Sequence, residues 1–282
     1  MKQFGRRATP ALVAVALLVL ITAVLLIAKN RSRKLEATKE EMQISEGVML
    51  LEALEARNPR EVEEQLRVLR EERIRSQQTE YIERITSGEV SVWSLFEDYV
   101  LLGDSRAVGF YYYEFLPEDL VLAEGGATIR ALKDHIPDIE AIHPAFIFLC
   151  YGLNDVSIGL WNNPEEYTAE FEQTLEEIHK ALPEAKIFIS SILPARDPAF
   201  ETASVWREIP EWSAAIEDMC EAMDYCWYVD NSEISEIYAD MWDIDGIHVW
   251  KTFYPYWAAN MMAEVYGSVL SEVAEEENLP PA

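Results

Sequence analysis

Five short apolar runs punctuate the chain beyond residue 90: Tyr99–Gly103, Leu120–Ala123, Ala145–Tyr151, Lys186–Ile192 and Trp227–Asp230. Each is continuous rather than alternating, the pattern of strands buried on both faces. Between them the period changes. From Pro164 to Leu182 the apolar residues Tyr167, Phe171, Leu175 and Ile178 recur at helical spacing, and further helices are predicted over about 211–223 and 253–275. Strands alternating with helices build βαβ units, so the predicted fold class is α/β with a doubly wound parallel sheet in three α/β/α layers. Such sheets bind ligands beyond the carboxyl ends of their strands. The polar residues that follow each run are therefore where chemistry is sought.

Upstream, the pattern is of two other kinds. Ala11–Ala28 is uncharged and broken only by Thr22; as a helix it would reach about 27 Å, near the thickness of a bilayer's hydrocarbon core. A basic stretch, Lys29-Asn30-Arg31-Ser32-Arg33-Lys34, follows where a cleavable signal would place small residues. Residues 1–34 thus read as a basic N-terminus and a transmembrane signal anchor. Basic residues flank the run on both sides, so the positive-inside rule leaves orientation nearly tied. The short N-terminus and large acidic remainder favour an exported domain at the cell membrane. Residues 35–89 are rich in Glu, Arg, Leu and Gln, with Asn58-Pro59 as the strong breaker and Ser87-Gly88 at the end. They predict a two-helix charged stalk, with weak dimerisation as its expected partner interaction. Residues 90–282 form the predicted globular domain.

Charge sharpens this division. The chain of 282 residues carries 23 Lys+Arg against 51 Asp+Glu, a net charge of −28. Residues 1–34 hold seven of the bases and no acid, which leaves 16 bases against the 51 acids beyond them. A field of that sign excludes nucleic acid as a partner. Of the three cysteines, Cys150 lies in an apolar run and reads as a core thiol. Cys220 and Cys226 could pair in an oxidising compartment.

Four short motifs sit where the fold would place chemistry. Gly103-Asp104-Ser105-Arg106 follows the first strand and presents a serine hydroxyl at a strand-to-helix turn. Gly125-Gly126-Ala127-Thr128 follows the second, where glycine lets a backbone N–H approach a ligand. Gly152-Leu153-Asn154-Asp155 follows the third, and its Asn amide can donate to a developing oxyanion. Asp245-Gly246-Ile247-His248 lies near the C-terminus, with an Asp spaced to orient the imidazole. Each motif alone is as well explained by a turn with a helix cap. Together and in order they are far more specific.

At these residues the chain resembles the SGNH, or GDSL-type, hydrolase superfamily over about residues 97–270. The resemblance implies a flavodoxin-like α/β/α fold, a serine nucleophile, and neither metal nor organic cofactor. By position, Ser105 would be the nucleophile, His248 the general base and Asp245 its orienting carboxylate. The oxyanion hole would combine the N–H groups of Ser105 and Gly126 with the Asn154 amide; Gly125 competes with Gly126. Arg106 departs from the common Gly-Asp-Ser-Leu block and is either a substrate contact or the partner of a neighbouring carboxylate. The α/β-hydrolase elbow is a poorer match, because Ala107 stands where Gly-x-Ser-x-Gly needs its last glycine.

The expected activity is serine-esterase hydrolysis of an acyl group, foremost O-acetyl, from a small ester or a cell-surface glycan. O-acyl transfer and lipase or lysophospholipase activity are variants on the same chemistry, with Phe110-Tyr111-Tyr112-Tyr113 as an apolar wall in the lipase case. Trp242, Trp250 and Trp257 are candidates for stacking on sugar rings. Two other classes compete. Metal-assisted phosphoester hydrolysis would gather Asp104, Asp155, Asp243, Asp245 and His248. A membrane-anchored binding module would use no catalysis.

Overall fold

The computed structural model describes Lys29 and residues 59–276. The predicted span Ala11–Ala28 and the stalk upstream of Pro59 lie outside these residues. Among the described residues no helix is long and apolar enough to cross a membrane.

The chain divides into two compact units, residues 1–69 and 70–282. In the first, residues 59–69 belong to helix α1 (Pro59–Thr86), which starts on Pro59, a residue suited to a first helical turn. Leu66 and Leu69 are exposed there. In the second unit, the remainder of α1 does not stand free. Gln78 donates to the carbonyl of Ala263 at 3.0 Å, Tyr81 stacks on Tyr266, and Ile85 is buried. A stalk ending at Gly88 is thus joined by packing to the domain behind it from residue 70 onward. The helix ends at Thr86, just before the Ser87-Gly88 that the sequence indicates, and Gly88 turns the chain at φ +79°, a conformation suited to glycine.

Five parallel strands form the sheet: β1 (Tyr99–Gly103), β2 (Val121–Ala123), β3 (Phe146–Cys150), β4 (Lys186–Ser190) and β5 (Cys226–Val229). Their order is β2-β1-β3-β4-β5, the doubly wound order whose direction of winding reverses between β1 and β3. Helices connect them: α2 (Ser105–Tyr112), α3 (Ala131–Ile142), α4 (Leu153–Ile158), α5 (Pro164–Ala181), the short α6 (Ala199–Thr202), α7 (Ile209–Glu221) and α8 (Ser232–Ile237). The chain closes with α9 (Tyr254–Glu276).

Why the strands read as continuous apolar runs is now visible. Val100, Leu102, Ile147, Leu149, Ile187 and Ile189 point to one face, where α3, α5 and α7 supply Leu132, Phe171, Leu175 and Ile216. Tyr99, Leu101, Phe148, Phe188 and Val229 point to the other, covered by Phe110 of α2 and Phe253, Trp257 and Met261 near and within α9. A period of two with both faces buried leaves few polar positions, and here they fall at strand ends such as Lys186 and Ser190. All three cysteines are buried free thiols, so Cys220 and Cys226 are unpaired.

Candidate active site

The register sets the site. Gly103 at the end of β1 lies beside Ala123 of β2 and Cys150 of β3. The three strands therefore release their chains side by side, at the point where the winding reverses. A side chain on Gly103 would put its Cβ 2.5 Å from the Cys150 carbonyl oxygen and 2.6 Å from Ala107 Cβ. Only glycine lets α2 start this close to β3, and Ser105 occupies its first turn.

Asp104 caps that turn, its carboxylate accepting the Arg106 N–H at 2.9 Å. The Arg106 guanidinium then folds back on the same carboxylate at 3.2 Å and donates to the Leu193 carbonyl at 2.6 Å. Asp104 is fully buried and Arg106 is 3% exposed. This corrects the substrate-contact reading of Arg106. A buried carboxylate needs a partner more than solvent needs a guanidinium, and the side chain is consumed by that pairing.

The loop after β2 turns at Gly125 and Gly126, both exposed, with Gly126 at φ +80°. Asn154, in the first turn of α4, donates its side-chain amide to the Ala127 carbonyl at 2.9 Å, so the loop after β2 and the helix after β3 hold one another. Its neighbour Asp155 is fully buried and accepts the Ile129 N–H at 2.9 Å. Burial pushes the Asp155 carboxyl up to about 7; the Ile129 N–H opposes the shift and the nearby Asp104 adds to it.

That shift has a sign in stability. The folded chain holds the Asp155 proton more tightly than the unfolded chain, whose carboxyl has the ordinary value of 3.8. The stabilisation is complete below about pH 4 and is lost as pH rises through about 7. Asp155→Asn keeps the shape and the acceptor without the charge. We expect its melting temperature, relative to the native chain, to climb by several degrees between pH 4.5 and 8. Parallel melting curves across that range would refute the assignment.

His248 arrives on a loop before α9. Trp242 and Val249 form an antiparallel bridge at its base, and the Asp243 N–H donates to the His248 carbonyl at 2.8 Å. Inside the loop one oxygen of Asp245 accepts the N–H groups of Ile247 and His248 at 2.8 and 2.9 Å. Its other oxygen meets His248 Nδ1 at 2.6 Å. Burial acts to raise the Asp245 pKa. The bonds from the His248 side chain and the two N–H groups outweigh it and hold the carboxyl below its ordinary value. His248 Nε2 stands 3.0 Å from Ser105 Oγ. With Nδ1–H donating to Asp245, Nε2 is left free to accept the serine proton, so the arrangement can turn a weak hydroxyl nucleophile into a strong one.

The remaining candidates separate. The five side chains weighed as metal ligands do not converge: Asp104 is paired with Arg106, Asp155 with the Ile129 N–H, and Asp245 with His248. Among the described residues no group of three His, Cys, Asp or Glu side chains could hold a metal ion. Phe110 is buried edge-on against Tyr254, which places the start of the aromatic run in the core rather than in a substrate wall. Trp242 and Trp257 are buried, whereas Trp250, two residues beyond His248, is 47% exposed. Sequence reasoning passed over Leu193–Arg196, the segment after β4, although its position at a strand end was the available signal.

The chain matches the GDSL-like Lipase/Acylhydrolase family over residues 101–254, more than half its length, and it belongs to that family of ester hydrolases. Among solved structures it is similar in fold to the lipase/acylhydrolase from Enterococcus faecalis. The two are 16% identical, with a TM-score of 0.50 over 61% of this chain and 97% of that one. A GDSL-like lipase from Bacteroides thetaiotaomicron is 17% identical, with a TM-score of 0.48, covering 68% of this chain and 98% of its own. A Clostridium thermocellum family 3 carbohydrate esterase is 18% identical, with a TM-score of 0.47, covering 62% and 98% respectively. No curated protein matches the chain.

Proposed function

We propose that this protein is a serine esterase that removes a small acyl group, foremost O-acetyl, from a cell-surface glycan through an acyl-Ser105 intermediate. The observation that carries the reading is the relay from Ser105 Oγ through His248 to Asp245, at 3.0 and 2.6 Å. His248 Nε2 takes the proton as Oγ attacks the ester carbonyl. The N–H groups of Ser105 and Gly126 and the Asn154 amide receive the oxyanion. His248 returns the proton to the departing sugar hydroxyl as its C–O bond breaks. Water, activated by the same imidazole, then releases the acid and restores Ser105.

An open site supports a small acyl group on a bulky alcohol. The side chains of His248 and Asp245 are 45% and 42% exposed, and both glycines of the oxyanion loop are at the surface. Two grooves of about 890 and 350 Å³ lie elsewhere, and neither is lined by Ser105, Gly126, Asn154 or His248. A long acyl chain would need an apolar channel to leave water, and neither of these two grooves supplies one beside Ser105. The uncharged run Ala11–Ala28 supports a membrane anchor, and the short N-terminus with the large acidic remainder favours its outer side, beside such glycans.

The test is a chain-length series of 4-nitrophenyl esters, followed by acetate release from acetylated oligosaccharides. Rates are expected to fall steeply from acetate to octanoate; a preference for octanoate would instead establish the lipase reading. Transfer of acetyl to an added saccharide faster than to water would establish the acyltransferase. Trp250, exposed and two residues beyond His248 in the chain, is the ring proposed to stack on a sugar. Trp250→Ala is expected to raise KM for an acetylated oligosaccharide about tenfold, a loss typical of one aromatic contact. Its effect on 4-nitrophenyl acetate should be far smaller.

A further inference from the structure

The two halves of the proposed relay are 143 residues apart in the chain, and their 3.0 Å contact needs a common reference. An error of about 1 Å between reacting groups can cost on the order of a hundredfold in rate. The segment Leu193–Arg196, which follows β4 and contains none of the reacting groups, touches both halves. The Leu193 carbonyl accepts from the guanidinium of Arg106, the residue directly after Ser105, at 2.6 Å. The adjacent Pro194 carbonyl accepts from the indole N–H of Trp242, at the base of the His248 loop, at 3.0 Å. Two residues further, the Arg196 N–H donates to the Gly246 carbonyl at 2.8 Å, directly beside Asp245.

We infer that Leu193–Arg196 sets the spacing between the serine turn and the histidine loop, with Trp242 and Arg106 as positioning residues that act through adjacent carbonyls. The inference rests on the esterase reading and deepens it.

The segment is suited to this because it cannot drift. Leu193 is buried in the core on one face of the sheet and Ala195 in the core on the other. The histidine loop is held against it from several sides. The Arg196 guanidinium lies 4.4 Å over the Trp242 ring and donates to the Ser235 carbonyl. Gly246, at φ +71°, lets the loop backbone approach so closely that a Cβ there would collide with the Arg196 carbonyl. The indole N–H of Trp242 can be deleted by a substitution that leaves an aromatic ring in place, and the loss of ring volume is matched by a second buried Trp.

Trp242→Phe makes that deletion and keeps a ring beneath Arg196. Trp257→Phe is its control: the Trp257 indole is equally buried and donates to Ser190 Oγ at 3.3 Å, with no bond to the Leu193–Arg196 segment. Full-length protein in detergent would be compared with both variants in melting temperature, in the rate of Ser105 labelling by a fluorophosphonate, and in kcat and KM on 4-nitrophenyl acetate. Trp242→Phe is expected to lower the labelling rate and kcat by about tenfold and leave KM unchanged, the signature of a misaligned relay. Trp257→Phe should lose a similar amount of thermal stability and label at the native rate. Native labelling in Trp242→Phe, or equal slowing in both variants, would overturn the positioning role while leaving the esterase reading intact. Absence of labelling in the folded native protein would overturn the esterase reading, and the inference with it.

Discussion

Ser105→Ala is expected to reduce ester hydrolysis by roughly 10⁴-fold or more, and His248→Ala by a similar factor. The reason is the single relay at 3.0 Å between Oγ and Nε2. Without the hydroxyl there is no bond to the acyl carbon, and without the imidazole the hydroxyl keeps its proton. Because the two act as one unit, the double variant should be no slower than either single variant, which separates a relay from two independent binding contributions. The residual rate would reflect the oxyanion donors alone. Initial rates on 4-nitrophenyl acetate measure all three. Substantial turnover in Ser105→Ala, or a double variant slower by the product of the single effects, would count against an acyl-Ser105 mechanism.

The largest stability effect is expected one residue further along. Arg106→Leu removes the partner of a carboxylate that has no exposure to water. Breaking a buried pair by deleting one member costs about 3–5 kcal/mol, a large share of the stability of an ordinary domain. Asp104 would retain only the Arg106 N–H, and the Leu193 carbonyl would lose its donor. Removing the charge as well should restore part of the loss. Asp104→Asn with Arg106→Leu is therefore expected to be more stable than Arg106→Leu alone, since Asn can still cap α2. Urea unfolding of the three proteins checks this. A double variant no better than the single would mean that the guanidinium contributes packing rather than charge compensation.

Much of this arrangement was legible along the chain. The five strands lie within one or two residues of the apolar runs, because strands covered on both faces need uninterrupted apolar side chains. The long helices α5, α7 and α9 fall near their predicted spans for the related reason that a covered helix repeats its apolar positions. Short elements were less visible. Helices α4, α6 and α8 are of six, four and six residues, too short to show a period. The second half of α1 is mostly polar, and beside the buried Ile85 its packing uses Gln78 and Tyr81. A polar residue that packs by one hydrogen bond looks the same in sequence as one facing water.

The sequence by itself determined the layered α/β architecture and the order in which Ser105, Gly126, Asn154 and His248 follow one another, since apolar periodicity and strand-end glycines are local properties. Only the tertiary structure decided what those residues meet. Arg106 was open between substrate and carboxylate until Asp104 was seen to be buried beneath it. Leu193 and Pro194 carry no chemical group that marks them, and they matter through carbonyls that every residue possesses. Distances between groups many residues apart follow from how the whole core packs, which no short stretch of sequence encodes.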